Sequence, residues 1–153
     1  GDLYRQLAGL FAQARVATGE AEARAAVTPR RILLVDDNSD NRLLVTSYLK
    51  KLPHVVVEAD NGQRAVEAFQ AQPFDLVFMD VQMPVLDGHE ATRRIRAWER
   101  ETRRAPAPII ALTAHASKEE ADRSLAAGCT SHMTKPVKKA ALLQAIETYT
   151  STP

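Results

Sequence analysis

Asp36, Asp37, Asp80, Thr113 and Lys135 are the residues of this sequence whose types and spacing could do chemistry. Each lies at the end of a short apolar run or just after one. Three carboxylates brought together repel one another and raise some of their pKa values unless a cation joins them. An all-oxygen, carboxylate-rich site with room for water suits Mg²⁺, which keeps several waters in an octahedral shell; Mn²⁺ is the alternative. The Thr113 hydroxyl and the Lys135 ammonium can each hold an oxygen of a phosphoryl group. A carboxylate nucleophile, a divalent cation, a hydroxyl and a lysine together suit formation of an aspartyl phosphate, a reaction that needs mainly positioning and charge neutralisation. Taken singly, each residue has a plainer reading. A strand-end Asp commonly caps a helix or a turn, and the Asp36-Asp37 pair could serve only as negative charge at a helix N-terminus. The case rests on their occurring together and in order.

The elements that must bring them together alternate regularly. Arg31 to Asp36 (RILLVD) is an apolar run ending in acid, as in a central parallel strand buried on both faces. Asn38 or Ser39 caps a helix whose apolar positions Leu43, Leu44, Tyr48 and Leu49 repeat with a 3.6 period. His54 to Glu58 reads as a second strand, Asn61-Gly62 as a turn and Gln63 to Ala71 as a second helix. Phe74 to Asp80 is a third strand, followed by Met83-Pro84 and Asp87-Gly88 and a long helix to about Arg103. Pro108 to Thr113, Lys118 to Ala127, Ser131 to Thr134 and Lys138 to Thr148 continue as strand, helix, strand and helix. This alternation predicts an α/β fold with a parallel sheet covered on both faces. In such sheets the working groups gather beyond the carboxyl ends of the strands. Asp36 and Asp37 follow strand one, Asp80 strand three, Thr113 strand four and Lys135 strand five.

The totals exclude several other classes. A chain of 153 residues, 45% hydrophobic and 25% charged, has material for one ordinary globular core. Twenty Lys and Arg against 19 Asp and Glu leave a formal charge of +1, which gives no general pull toward nucleic acid or an anionic membrane. No apolar run approaches the roughly 18 residues of a membrane span, and no signal-peptide core is present. Cys129 is alone, so neither an internal disulfide nor a thiolate metal cage can form, and its place after Gly128 suits packing. The expected location is cytoplasmic, tethered to the inner membrane only through a parent sensor protein. Residues 1–29 differ from the rest. Leu3, Leu7, Leu10, Phe11 and Ala14 form a narrow stripe at helical spacing, and an Ala-, Glu- and Arg-rich stretch ends at Thr28-Pro29. That segment is expected to be a helix and linker, self-associating or docking on the domain that occupies 30–153.

From about Arg31 to Thr150 the chain resembles the receiver domain of two-component response regulators. VDDN (Val35 to Asn38), MDVQMPVLDG (Met79 to Gly88), LTA (Leu112 to Ala114) and TKP (Thr134 to Pro136) carry the likeness. It implies a flavodoxin-like (βα)5 fold with strand order 2-1-3-4-5. It also implies Asp80 as phospho-acceptor, Asp37 as direct metal ligand, Asp36 as holder of the metal's waters, and the Gln82 backbone carbonyl as a further ligand. Thr113 and Lys135 match the residues that bind the phosphoryl oxygens, and Lys135-Pro136 matches a cis peptide. Gly88 would allow a tight turn, and Pro84 would shape the loop beside Asp80. The implied donor is a phosphohistidine on a kinase or phosphotransfer protein, and the domain catalyses the transfer onto itself and its own hydrolysis. The implied output face is the fourth helix, fifth strand and fifth helix, where Lys118, Glu119, Asp122, His132 and Lys138 are candidates.

The sequence departs from that pattern at His132, where the family usually has Tyr or Phe as the partner of Thr113 in the switch. Gln82 and His115, two residues after Asp80 and Thr113, match positions that tune dephosphorylation. The arginines from Arg93 to Arg104 interleave with Glu90, Glu99 and Glu101, which reads as a solvated face rather than a nucleic-acid surface. Trp98 reads as partly buried packing, and His54, His89, His115 and His132 lack metal-ligand spacing. The wording of MDVQMPVLDG and the leading linker favour a receiver from a hybrid histidine kinase. A stand-alone response regulator is the alternative, and the absence of a domain after Pro153 argues against an intact transcription factor. An aspartyl-nucleophile phosphatase or phosphotransferase is a third reading, against which Gln82 stands where such enzymes carry a second acid. A domain that has lost phosphorylation is the fourth.

Overall fold

A computed structural model of the chain describes residues 28–83 and 85–150. The leading stripe of Leu3, Leu7, Leu10 and Phe11, and Pro84, lie outside them. Five strands, β1 (Arg31–Val35), β2 (Val55–Ala59), β3 (Leu76–Asp80), β4 (Ile109–Thr113) and β5 (Ser131–Thr134), form one parallel sheet in the order β2-β1-β3-β4-β5. The helices are α1 (Ser39–Leu49), α2 (Gly62–Ala71), α3 (Gly88–Glu101), α4 (Lys118–Ala127) and α5 (Lys139–Thr150). The architecture is the flavodoxin-like doubly wound one.

The period-2 alternation of the central strands sends their side chains into two cores. Leu33, Val35, Val77, Met79, Ile109 and Ala111 meet Ala65, Val66 and Phe69 of α2 and Ala91 and Ile95 of α3. Ile32, Leu34, Leu76, Phe78, Ile110 and Leu112 meet Val45 and Leu49 of α1 and Leu142, Ala145 and Ile146 of α5. Each fully buried Leu, Ile or Phe contributes roughly 1.5–3 kcal/mol, so the three central strands anchor the sheet and hold their carboxyl ends in register.

The helix starts follow side-chain caps. Asn38 accepts from the amides of Asp40 and Asn41, Asp87 from Glu90, and Ser117 from Glu120. Asn61 caps α2 by accepting from the Arg64 amide, so Asn61-Gly62 opens a helix and is not a separate turn. On α1 the buried positions are Val45 and Leu49, while Leu43 is exposed. The 3.6-residue spacing holds at Leu49, which is buried, and at Tyr48, which packs against the same core; Leu43 is the exception, and Val45 faces the core in its place. Gly88 also has a different reason from the one expected. Its φ is not positive; instead a Cβ there would stand 2.0 Å from the Asp80 carbonyl oxygen. Close approach of backbone to backbone requires this glycine.

The arginine-rich face of α3 is not uniformly solvated. Arg93 and Arg94 pair with Glu90 at the surface, but Glu99 is 3% exposed and accepts from Arg96 Nη1 at 2.8 Å and the Ala107 amide at 2.7 Å. Arg96 also donates to the Gly128 carbonyl, tying α3 to the approach to β5. Trp98 is half-buried, edge-on to Phe69, with the Arg104 guanidinium over its ring. Cys129 is buried, which pushes its thiol pKa up. No helix among the described residues is long and apolar enough to cross a membrane.

Candidate functional site

The carboxyl ends of β1, β3, β4 and β5 converge on one cleft. Four apolar residues, Leu76 to Met79, draw β3 wholly into the core and carry Asp80 in behind them, leaving it 3% exposed. The parallel register sets Asp80 beside Leu112 and Thr113 beside Thr134. The ladder then runs on from the Lys135 amide to the Thr113 carbonyl at 2.7 Å. The Lys135–Pro136 peptide is cis.

Asp36, Asp37 and Asp80 each offer a carboxylate oxygen within 4.8 Å of the others. Lys135 Nζ lies 3.0 Å from Asp80 Oδ1 and 3.2 Å from Asp36 Oδ2. The second oxygen of Asp36 accepts from the Asn38 amide at 2.9 Å. Asp80 Oδ1 also accepts from the Gln82 amide at 3.2 Å, whereas Asp80 Oδ2 is buried with no hydrogen-bond partner among the described residues. Such an orphaned anionic oxygen is costly unless something electropositive meets it. Burial pushes the Asp80 pKa up to about 6, with the Asp36 charge adding to it and Lys135 and the Gln82 amide opposing. For Lys135, burial works to lower the pKa, but the bond and charge of Asp80 and the charge of Asp36 outweigh it and raise it.

Thr113 is buried, and its hydroxyl donates to the His115 carbonyl at 3.0 Å, with the Met133 carbonyl at 3.5 Å. It is turned toward the β4–α4 loop rather than held by Asp80. The cleft has a volume of about 290 Å³; Asp37, Asp80, Gln82, Thr113, His115 and Lys135 are on its wall. Gln82 and His115 are exposed there, while His132 is exposed on the edge strand and is not part of that wall. Two lining residues were not found from sequence. Asn41 and Glu120 reach the cleft from the first turns of α1 and α4. Neither follows a strand, so no strand-end signal marks them. Glu120 is 4.0 Å from His89 Nε2, which also contacts Ser124 Oγ at 3.2 Å.

The donor set fits a hard divalent cation. Asp37 is exposed and Asp80 Oδ2 is bare, both pure oxygen ligands, and Asp36 stands beside them with Lys135 already balancing part of its charge. Asp36, Asp37 and Asp80 are the side chains that could hold Mg²⁺ or Mn²⁺.

A five-stranded sheet of this order with an acid cluster, a threonine and a lysine at its carboxyl edge defines a class, and the chain belongs to it. Residues 32–147 match the response regulator receiver domain family. Sensor histidine kinase GacS of Pseudomonas protegens is 41% identical over 148 residues, covering 97% of this chain and 16% of that kinase. The chain thus spans under a fifth of the length of the sensor kinases it matches. Among solved structures, the receiver domain of the Saccharomyces cerevisiae response regulator Ssk1, in complex with the histidine phosphotransfer protein Ypd1, is similar with a TM-score of 0.77. It is 37% identical, over 80% of this chain and 90% of that one. The receiver domain of a Pseudomonas aeruginosa sensor histidine kinase, with magnesium in its active-site cleft, is similar with a TM-score of 0.72. It too is 37% identical, over 82% of this chain and the whole of that one.

Proposed function

We propose that this receiver accepts a phosphoryl group on Asp80 from a phosphohistidine and thereby switches its protein contacts. The observation that carries this is Asp80 itself, a buried carboxylate clustered with two further acids, with one oxygen tied to Lys135 and Gln82 and the other without a partner among the described residues. An Asp80 oxygen attacks phosphorus in line. The new O–P bond forms as the N–P bond to the donor imidazole breaks, and the imidazole leaves with the electron pair and takes a proton from solvent. Asp37, Asp80 and the Gln82 carbonyl would hold Mg²⁺, with Asp36 orienting its waters, and the ion would supply charge neutralisation for the transferring group. Lys135 moves its ion pair from Asp80 to a phosphoryl oxygen. Thr113 exchanges its bond to the His115 carbonyl for another phosphoryl oxygen, which frees the β4–α4 loop.

Loosening that loop is the step that reaches the surface. The output face is α4, β5 and α5, where Lys118, Glu119, Asp122, His132 and Lys138 are exposed. An outward His132 suits a contact residue read by a partner. Hydrolysis returns the switch to rest when water attacks the phosphorus, the Asp80 O–P bond breaks to restore the carboxylate, and inorganic phosphate leaves; Gln82 and His115 at the mouth of the cleft set the water's access. The parent is a hybrid sensor histidine kinase, the reading that similarity to GacS supports. The donor is a histidine kinase or a phosphotransfer domain, and the domain works on the cytoplasmic side. Beryllofluoride, which occupies the place of a phosphoryl group, tests the site. Binding is expected only with Mg²⁺ and only when Asp80 is intact, and Asp80→Asn serves as control. No binding by the unmodified protein contradicts the proposal.

A further inference from the structure

We propose that Arg42 is the positioning residue of the metal site, setting the aim of Asp37 through the peptide that joins it to Asp36; this rests on the metal-site reading above. Arg42 projects from the first turn of α1, and its side chain is 19% exposed. Its Nη1 donates to the Asp36 carbonyl at 2.7 Å, and its Nε donates to Glu58 Oε1 on β2 at 3.2 Å. One guanidinium thus spans the end of β1, the start of α1 and the neighbouring strand. The planar fork of arginine holds two acceptors in a fixed relation, which a lysine ammonium does not.

The contact matters because of what Asp37 lacks. Asp37 is exposed, and no hydrogen bond or ion pair of its carboxylate occurs among the described residues. No partner pins its side chain, so what the protein fixes is the Cα–Cβ bond from which the carboxylate departs, and that bond is set by the backbone. That backbone has three anchors: the Asp36 amide on the Ala59 carbonyl at 3.1 Å, the Asn38 amide on Asp36 Oδ1 at 2.9 Å, and Arg42 on the Asp36 carbonyl. The Asp36 carbonyl and the Asp37 amide are one rigid plane, so Arg42 fixes the plane from which the Asp37 side chain departs. It does so through the peptide and not through a carboxylate, leaving the oxygens of Asp37 and Asp80 Oδ2 open. Glu58 in turn orients the guanidinium and offsets its charge.

Charge and position predict opposite signs here. A cation near a metal site repels a second cation, so removing a residue that acted only through its charge tightens Mg²⁺ binding. Removing a positioning residue loosens it, typically by tenfold or more when outer-shell partners of a metal ligand are lost. The experiment is a calorimetric Mg²⁺ titration of the full chain and of Arg42→Met, Arg42→Lys and Glu58→Gln. Amide hydrogen exchange at Asp37 and Asn38 is followed in the metal-free proteins. Arg42→Met is expected to weaken Mg²⁺ about tenfold and to speed exchange at both amides. Arg42→Lys, with one donor retained, and Glu58→Gln, with the guanidinium less well aimed, are expected to fall between. Mg²⁺ binding as tight as or tighter than the unmodified protein's in Arg42→Met overturns the inference. Should Arg42→Met lose its circular dichroism spectrum, unchanged affinity in both milder variants overturns it equally. Failure of the unmodified protein to bind Mg²⁺ would instead remove the metal-site reading beneath it.

Discussion

Replacing Asp80 by Asn should make the metal-free domain more stable at neutral pH. In the folded protein burial lifts the Asp80 pKa from 3.8 to about 6, so the folded state binds the Asp80 proton more tightly than the unfolded chain does. Stability from this group therefore falls as pH rises from about 4 to about 6, and stays low above that. At about 1.4 kcal/mol per unit, the shift from 3.8 to about 6 corresponds to a cost of about 3 kcal/mol at pH 7.5. That cost is already net of the 3.0 Å ion pair with Lys135; asparagine removes the cost but buries amide N–H donors beside the Lys135 ammonium, which takes back part of the gain. The net expectation is a stabilisation of about 1–2 kcal/mol, or a Tm higher by roughly 5 °C. Thermal melts of both proteins in chelator at pH 7.5 and at pH 4 measure it. The gap should close at pH 4, where the native carboxyl is protonated. Added Mg²⁺ should also narrow it at pH 7.5 by stabilising the protein that binds it. An Asp80→Asn protein that melts no higher than the native one at pH 7.5, or a gap that persists unchanged at pH 4, refutes the electrostatic reasoning.

Three other perturbations follow from the packing. Gly88→Ala places a methyl 2.0 Å from the Asp80 carbonyl oxygen; urea unfolding should show a loss of about 1–3 kcal/mol, with weaker Mg²⁺ binding because the β3 end is displaced. Glu99→Gln keeps the shape but removes the buried charge opposite Arg96, and should cost about 1–3 kcal/mol in urea unfolding without altering Mg²⁺ affinity. His54 accepts from the Arg30 amide at 3.0 Å, and burial with the Arg30 charge lowers its pKa against the pull of Asp75. The unfolded chain then takes up the His54 proton first on acidification, so stability falls as pH drops below 6.5. His54→Phe should flatten that part of a Tm-against-pH curve.

The parts of the fold and site that were legible in the sequence are those fixed by local chemistry. Strands β1, β3 and β4 are short apolar runs because both faces are buried, and α4 (Lys118–Ala127) and β5 (Ser131–Thr134) have the bounds that the sequence pattern predicts. Asp36, Asp37, Asp80, Thr113 and Lys135 come together because each follows a strand whose register neighbours fix its height. What the sequence withheld depends on neighbours distant along the chain. Leu43 is as apolar as Val45, and only the path of α1 over the sheet decides that Val45 faces the core. Glu99 looks like any surface glutamate until the turn after α3 brings the Ala107 amide onto it. Gly88 reads as a turn glycine, although the constraint is the carbonyl of Asp80, eight residues earlier. Glu120 enters the cleft only through the placement of α4 against α3, and the Arg42 bridge needs β2 beside β1.

The central claim is that Asp80 takes a phosphoryl group. Incubating the full chain with acetyl phosphate and Mg²⁺, then recording the intact mass and the modified peptide, tests it most directly. The account predicts one added phosphoryl group, located on Asp80, absent in chelator and absent in Asp80→Asn. Modification that survives in Asp80→Asn, or none in the unmodified protein with Mg²⁺ present, would contradict it.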